Sequence, residues 1–171
     1  AAWLATQDGL LAELATDALA DIIRLTLAIN TLTQRITDTV HTIAPTLLTL
    51  PGCGALTAAK LIGETAGITR FKSEAAFARH SGTAPIPVWS GNTAGRMRLS
   101  RSGNRQLNAA LHRIAITQVR LIDSPGHTYY QKRRTHGDSS TEALRCLKRR
   151  LARVVYHRLT TDEQSRHQTT N

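Results

Sequence analysis

The sequence predicts an all-α protein, mainly helical, with one long N-terminal helix followed by several shorter helices. Three observations support this fold class. Apolar residues recur at alternating spacings of three and four between Leu11 and Ile36, the heptad pattern of a helix with one apolar seam. Two later stretches, after Ser102 and Ser139, have helical periodicity behind a serine that can cap a helix. Between these regions, the segment Pro51–Gly54 is typical of a tight turn between helices.

The N-terminal helix is expected to form a coiled-coil-like arm over residues 1–44. Its seam consists of Leu11, Ala15, Ala18, Ile22, Leu25, Ile29, Leu32 and Ile36. Many threonines weaken it as an isolated helix, so it needs a partner. A second copy of the chain would make a homo-oligomer, and the alternative is a helical hairpin within one protein. Residues 45–159 are expected to form a helical domain, and residues 160–171 a polar, frayed tail.

The stretch after the arm has the layout of a helix-hairpin-helix. We expect helices over Thr42–Leu50 and Ala55–Ala66, joined by a turn in which Gly52 and Gly54 leave the backbone bare. The amides of Cys53 and Gly54 would then open the second helix, where unpaired N–H groups and the helix dipole favour a phosphate. The alternative is a plain turn joining two packed helices.

Residues 81–101 differ from the rest because they are rich in Gly, Pro and Ser. They predict an irregular loop or a short β-hairpin, in which Val88-Trp89 could pair with Met97-Arg98-Leu99. A loop this long in a helical domain usually has a function. After it, Ser102 is expected to cap a helix over residues 103–122. Ser139 and Glu142 form a capping box for the last helix.

The charge of the chain favours a polyanionic partner. The 171 residues carry a formal charge of +10; residues 1–50 hold two basic and five acidic side chains, whereas residues 51–171 hold 20 and seven. Such an excess suits nucleic acid. A membrane fits less well because no basic helix has a bulky aromatic face and no run of about 18 apolar residues occurs.

The candidate chemical groups are few. The seven histidines are scattered and the carboxylates have no metal-site spacing, so we predict no metal site in this chain. Cys53 and Cys146 suggest neither a disulfide framework nor a zinc site and fit a reducing cytoplasm. Ser90 lies in the loop, followed by a series of arginines. From composition alone it cannot be separated from Ser81, and a serine that satisfies a turn is the commoner case.

A series of motifs from about Leu47 to Arg158 resembles the C-terminal transposase domain of the insertion-sequence 110/116/902 family. The motifs are Leu50-Pro51-Gly52-Cys53-Gly54, Arg70-Phe71-Lys72-Ser73, Phe77-Ala78, Gly82-Thr83-Ala84-Pro85, Ser90-Gly91 and Arg101-Ser102-Gly103-Asn104-Arg105-Gln106-Leu107-Asn108-Ala109-Ala110-Leu111. The series in this order is specific, although each motif alone is not. The preceding heptad helix is similar to the coiled coil that links the domains of that family.

The resemblance implies a DNA recombinase of mobile elements that forms a covalent serine–DNA link. By its place in the motif series, Ser90 is the implied nucleophile. The implied partners are DNA, a guide RNA in some members, and further copies of the chain, in the cytoplasm at the nucleoid. The family's RuvC-like N-terminal domain, which would hold Mg²⁺, has no counterpart here. Together with Ala1 as the first residue, this suggests a piece of a longer protein.

The residues predicted to bind DNA combine the hairpin, the loop and the last helix. They are Gly52, Cys53, Gly54, Arg96, Arg98, Arg101, Asn104, Arg105, Lys148 and Arg149. Two other interpretations stay open. One is a non-catalytic helix-hairpin-helix DNA-binding module from a truncated element, and the other is an oligomerisation module whose basic charge is incidental.

Overall fold

The computed structural model describes residues 3, 9–87, 97–99 and 103–169, without the side chains of 87, 97–99 and 169. The described elements confirm the predicted all-α class. They are α1 (Leu10–Ile43), α2 (Pro45–Leu48), α3 (Ala55–Thr65), a 3₁₀ turn (Ile68–Arg70), α4 (Glu74–His80), β1 (Pro85–Pro87), β2 (Met97–Leu99), α5 (Arg105–Arg120), α6 (Pro125–Thr135) and α7 (Ser140–Thr169). Within the described part, no helix is both long and apolar enough to cross a bilayer.

The chain divides into two compact units, residues 1–39 and 40–171. The first consists mainly of α1, which begins at Leu10 as a regular helix. Several of its threonine hydroxyls donate to the carbonyl four residues earlier, as Thr16 does to Ala12 and Thr31 to Leu27. These bonds satisfy the hydroxyls concerned within the helix. The large apolar side chains of the seam stay exposed, Leu11 at 86% and Ile22 at 61%.

The helix expected over Thr42–Leu50 is interrupted in the structure. Ala44 has φ −151° and ψ 59°, outside the helical region, and α2 restarts at Pro45. The physical reason is Pro45 itself, since proline disfavours the helical conformation of the residue before it and has no N–H for the helix ladder. In place of the first helix of the predicted helix-hairpin-helix, the structure has the four-residue α2, and the following helix, α3, has 11 residues.

The second unit is organised around α7, which contacts α2, α4, α5 and α6. The largest fully buried apolar side chains are Val40, Leu47, Leu61, Phe77, Leu107, Leu111, Ile114, Leu147 and Val155. They come from six of the helices and occur at spacings of three and four within α5. Amphipathic periodicity therefore accounts for most of this core.

The helix starts follow capping chemistry. The Ser139–Glu142 capping box is confirmed, because the Ser139 amide donates to Glu142 Oε2 at 2.9 Å and the Glu142 amide donates to Ser139 Oγ at 3.3 Å. Helix α5, by contrast, begins at Arg105, and Asn104 is its cap rather than Ser102. Asn104 Oδ1 accepts from two amides of the first turn, at 2.9 Å each. Asparagine is as good an N-cap as serine.

Helix α7 continues past Thr160, where the sequence predicts a frayed tail, and ends at Thr169. The reason is that this stretch is anchored to α2. Asp162 is only 4% exposed, and its carboxylate accepts from the amide of Thr46 at 3.2 Å and from its hydroxyl at 2.7 Å. A carboxylate at the start of a helix also complements the helix dipole.

Strands β1 and β2 pair antiparallel, with Pro85 opposite Leu99 and Pro87 opposite Met97. A pairing within 81–101 is therefore present, as one of the two sequence-based alternatives had it. The partner of Met97–Leu99 is Pro85–Pro87 and not Val88-Trp89, which lies outside the described residues. Prolines are tolerated here because a two-stranded ribbon leaves both strands at an edge.

Candidate nucleic-acid interface

The Pro51–Gly54 turn is seated against α5. Gly52 has φ +80°, and a Cβ there would lie 2.9 Å from Thr117 Cβ and 3.2 Å from the carbonyl oxygen of Ile114. Gln118 Nε2 donates to the carbonyl of Pro51 at 2.7 Å. Gly52 is therefore required by the left-handed backbone and by close packing on α5. The side of Gly52 that lacks a side chain therefore faces α5.

Cys53 and Gly54 differ in what they offer to a ligand. The Cys53 amide donates to the carbonyl of Leu50 at 2.9 Å, so the N–H that the sequence suggested for a phosphate is already bonded. Burial raises the pKa of the Cys53 thiol to about 11, against the opposing charge of Arg158, and the thiol stays neutral at pH 7. Gly54 is exposed at the start of α3 with nothing within 4 Å of a Cβ position. It is the one open position among these three predicted residues.

The segment of the sequence that contains Ser90 is flanked by two glycines that are in contact, Gly82 and Gly103. A Cβ on Gly103 would lie 2.4 Å from both the Cα and the amide nitrogen of Gly82. Just beyond, the Asn104 amide donates to the carbonyl of His80 at 2.7 Å. We call residues 80–84 and 103–108 the loop base. Only glycine permits its two strands of backbone to approach so closely.

Asn104, which the sequence predicts to bind DNA, is fully engaged in the loop base. Its Oδ1 caps α5, and its Nδ2 donates to Glu64 Oε2 at 2.7 Å. The side chain therefore joins α3, the loop base and α5. Its place in the Gly-Asn-Arg motif is explained by this bridging role without a nucleic-acid contact.

Lys148, also predicted to bind DNA, points into the protein instead of solvent. It is 9% exposed, and its Nζ donates to Asn108 Oδ1 at 2.7 Å. Asn108 Nδ2 in turn donates to the carbonyls of Ser81 at 2.8 Å and Gly82 at 3.3 Å. The chain of bonds Lys148–Asn108–loop base ties α7 to the start of the Ser90 loop.

The surroundings of this ammonium group are cationic. Burial, and then the charge of Arg145, hold the pKa of Lys148 below its ordinary value. The pKa of His112 is lowered by burial and then by Lys148. No carboxylate among the described residues is paired with Lys148. Asn108 is therefore the group that compensates a buried charge.

We expect Asn108→Leu to lower the free energy of unfolding by about 3 kcal/mol, because it removes the acceptor of a buried ammonium and a donor to two carbonyls. Adding Lys148→Met should restore at least about half of that loss, since the unpaired charge is then gone. Urea unfolding followed by circular dichroism measures both, with the exposed Asn30→Leu on α1 as control. Strict additivity of the two changes would contradict the pairing.

The remaining predicted residues fall into two groups. Ser90, Arg96 and Arg101 lie outside the described residues, and for Arg98 only the backbone, within β2, is described. Arg105 is exposed at the first turn of α5, and Arg149 is half-buried on α7. Of the predicted residues, Asn104 and Arg105 therefore lie in the loop base, and Lys148 is bonded to it through Asn108.

Sequence reasoning missed the roles of Asn108 and Tyr129. Asn108 belongs to the motif that begins at Arg101. The sequence feature that indicates its role is a polar residue inside the apolar stripe of α5. Tyr129 lies in a basic, aromatic segment, and the structure places the guanidinium of Arg150 4.8 Å from its ring centroid. That contact joins α6 to α7, and nothing in the spacing of the two residues predicts it.

The described residues do not fit a divalent-metal site. No three His, Cys, Asp or Glu side chains among them are close enough to hold an ion. Both cysteines are free thiols.

These features define a basic helical domain in which residues 80–84 and 103–108 are in contact as the loop base. Comparison with known proteins gives its family. The profile of the transposase IS116/IS110/IS902 family matches residues 44–131, just over half of the chain. That range includes the turn, the loop and the loop base. The chain therefore belongs to the IS116/IS110/IS902 transposase family, which confirms the resemblance.

Several relatives come from insertion elements of Mycobacterium and Streptomyces. The 42 kDa protein of insertion element IS900 from Mycobacterium paratuberculosis is 32% identical over 68% of this chain and 29% of its own length. The 43.6 kDa protein of IS110 from Streptomyces coelicolor is 34% identical, over 68% and 28%. The 44.8 kDa protein of IS116 from Streptomyces clavuligerus is 29% identical, over 83% and 37%. The chain spans about a third of the length of these relatives.

Proposed function

We propose that this chain is the part of a DNA transposase that binds DNA phosphates and cleaves and rejoins strands through Ser90. The observation that carries the proposal is the loop base. Gly82 against Gly103, Asn104 and the Lys148–Asn108 pair fix both ends of the segment that contains Ser90. A nucleophile must be held in place to react, and a loop with rigid ends is one way to achieve this.

In the proposed reaction, the Ser90 hydroxyl attacks the phosphorus of a phosphodiester and loses its proton to a base. The bond from phosphorus to one sugar oxygen breaks, and that oxygen takes up a proton and leaves as a free hydroxyl. The product is a phosphodiester between the protein and one DNA end. Attack by a sugar hydroxyl reverses the step and rejoins the strand. The arginines around the loop, among them Arg98 and Arg105, would stabilise the charge on the phosphate.

The experiment that tests this function is a search for the covalent adduct. The chain is incubated with nicked DNA, in which a cleaved strand end can diffuse away and trap the intermediate, and the products are separated on a denaturing gel. A band that contains both protein and DNA supports the proposal. Salt-sensitive binding with no adduct would contradict strand cleavage by this chain and favour the second candidate function.

The second candidate is a non-catalytic helix-hairpin-helix DNA-binding module from a truncated element. Gly54 favours it, because its exposed backbone at the start of α3 can accept a phosphate without any loop chemistry. Under either function we also propose a guide RNA as a second ligand and a location at the nucleoid.

We also propose that α1 associates with a second copy of itself. Its seam carries exposed large side chains, Ile22, Leu25, Ile29 and Leu32, at 49–61% exposure. A row of such residues on one helical face is the usual driving force of a coiled coil.

The double variant Ile22→Asp/Ile29→Asp should weaken this association by at least about 100-fold, because each isoleucine contributes about 1.5–3 kcal/mol when buried and the changes occur in both copies. Analytical ultracentrifugation over a range of concentrations measures it. Ala20→Asp/Leu27→Asp, on the other face of the same helix, is the matched control. A chain that is monomeric before any change would contradict the proposal.

A further inference from the structure

A groove between α6 and α7 is not accounted for by the loop base or by the Pro51–Gly54 turn. It consists of two adjoining cavities of about 780 and 550 Å³, and Tyr129 and Arg150 line both. We call it the α6–α7 groove. Cavities of this size admit groups as large as a drug-sized molecule.

The groove is strongly cationic. Six basic side chains line it against one carboxylate, Glu74. The basic residues are Lys132, Arg133, Arg149, Arg150, Arg153 and Arg158. On an ordinary solvated surface, basic and acidic side chains are interspersed. The imbalance indicates a ligand that supplies the missing negative charge.

Some of these basic side chains already contact a carboxylate. Those without a carboxylate partner are available to bind a phosphate. Arg153 Nε is 2.9 Å from Glu74 Oε2, which also contacts His157. Arg133 Nε is 2.5 Å from Asp138 Oδ2. Among the described residues, Arg149 and Arg150 have no carboxylate partner.

Tyr129 gives the groove its shape and holds one of its arginines. The Arg150 guanidinium lies over the Tyr129 ring, 4.8 Å from the centroid. A stacked guanidinium keeps the N–H groups at its edge available to a phosphate. An aromatic ring between basic side chains is also the arrangement by which proteins bind unstacked bases along a strand.

We propose that the α6–α7 groove binds an unpaired nucleotide strand, with Arg149 and Arg150 on its phosphates and Tyr129 against a base. This inference rests on the proposed nucleic-acid function. A double helix, whose major groove alone is about 12 Å wide, would lie across the rim of the cavities, whereas a single strand can enter them. DNA and RNA share the chemistry involved, and a strand of either kind satisfies the groove.

The test measures binding of a labelled short oligodeoxythymidylate, an oligouridylate and a duplex of equal length, at about 50 and 200 mM salt. In Arg149→Gln/Arg150→Gln, single-strand affinity should fall about 100-fold and the salt slope should fall by about 1.4, since each of the two phosphate contacts on a single strand contributes about 0.7. The matched control is Arg79→Gln/Arg113→Gln, which removes the same charge from exposed sites outside the groove. Its slope should stay close to that of the unaltered chain.

Tyr129 separates a strand-binding groove from a general basic surface. Tyr129→Leu should weaken single-strand binding about 10-fold and leave duplex binding unchanged, whereas Tyr129→Phe keeps the ring and should bind normally. The preference between the DNA and RNA arms identifies the source of the strand.

Three outcomes would overturn the inference. The first is a groove variant that binds single strands as the control does. The second is an equal loss for duplex and single strand with no effect of Tyr129→Leu. The third is an unchanged salt slope together with binding of an acidic peptide, which would indicate a protein ligand. If the unaltered chain bound no nucleic acid at either salt concentration, the proposed function itself would fail, and this result is distinct from the other three.

Discussion

Ser90→Ala should abolish the covalent protein–DNA adduct, a loss of at least about 10³-fold, and leave DNA affinity within about twofold. The reason is that the hydroxyl oxygen forms a bond to phosphorus only during the reaction. Binding in the ground state depends on the cations and on backbone groups, which the change leaves in place. Adduct formation on nicked DNA and a binding titration on the same preparation measure the two effects separately.

The control for this variant is another serine on the surface. Ser140→Ala serves, since Ser140 is exposed at the start of α7. Ser81 does not, because it is buried and its hydroxyl bonds to the carbonyl of Ala78 and to Thr83. An adduct from Ser90→Ala at the level of the Ser140→Ala control would contradict the role of Ser90. Loss of binding together with the adduct would assign Ser90 to the contact surface.

The fold was largely predictable because its signals are local. The capping box of α7 and the apolar stripe of α5 are read from residues three and four apart, and both are present. The predictions that were wrong concern places where two neighbouring residues could play the same structural role. Ser102 and Asn104 both precede α5, and the structure uses Asn104, whose amide also has a partner in His80. The contact with His80 joins residues far apart in the sequence, and local sequence patterns do not predict it.

The site was less predictable because a sequence does not reveal what a residue faces. The glycine at position 52 faces α5, and Lys148 faces Asn108, although both were candidates for DNA contact. A signal for Lys148 did exist. It lies four residues after Leu144 and three before Leu151, which places it beside the apolar stripe of α7. The neighbouring Arg145 and Arg149 make the basic face the more prominent pattern in this stretch.

Gly103→Ala should lower the free energy of unfolding by about 3 kcal/mol, because the added methyl group overlaps backbone that cannot rotate away. The Cβ would lie 2.4 Å from the Cα and the amide nitrogen of Gly82. Gly82 has φ +66°, so its own backbone has little freedom to adjust. The overlap therefore opens the loop base, and we expect adduct formation to be lost with it. Urea unfolding followed by circular dichroism measures the first effect.

Gly63→Ala is the matched control, since Gly63 is exposed within α3 with nothing within 4 Å of a Cβ position. Alanine there should raise the free energy of unfolding by about 0.5–1 kcal/mol through its better helix propensity. The two glycines thus predict changes of opposite sign for the same chemical substitution. Equal stability of the two variants would contradict the close contact in the loop base. A Gly103→Ala chain that unfolds early yet still forms the adduct would show that the clamped base stabilises the domain but does not position Ser90.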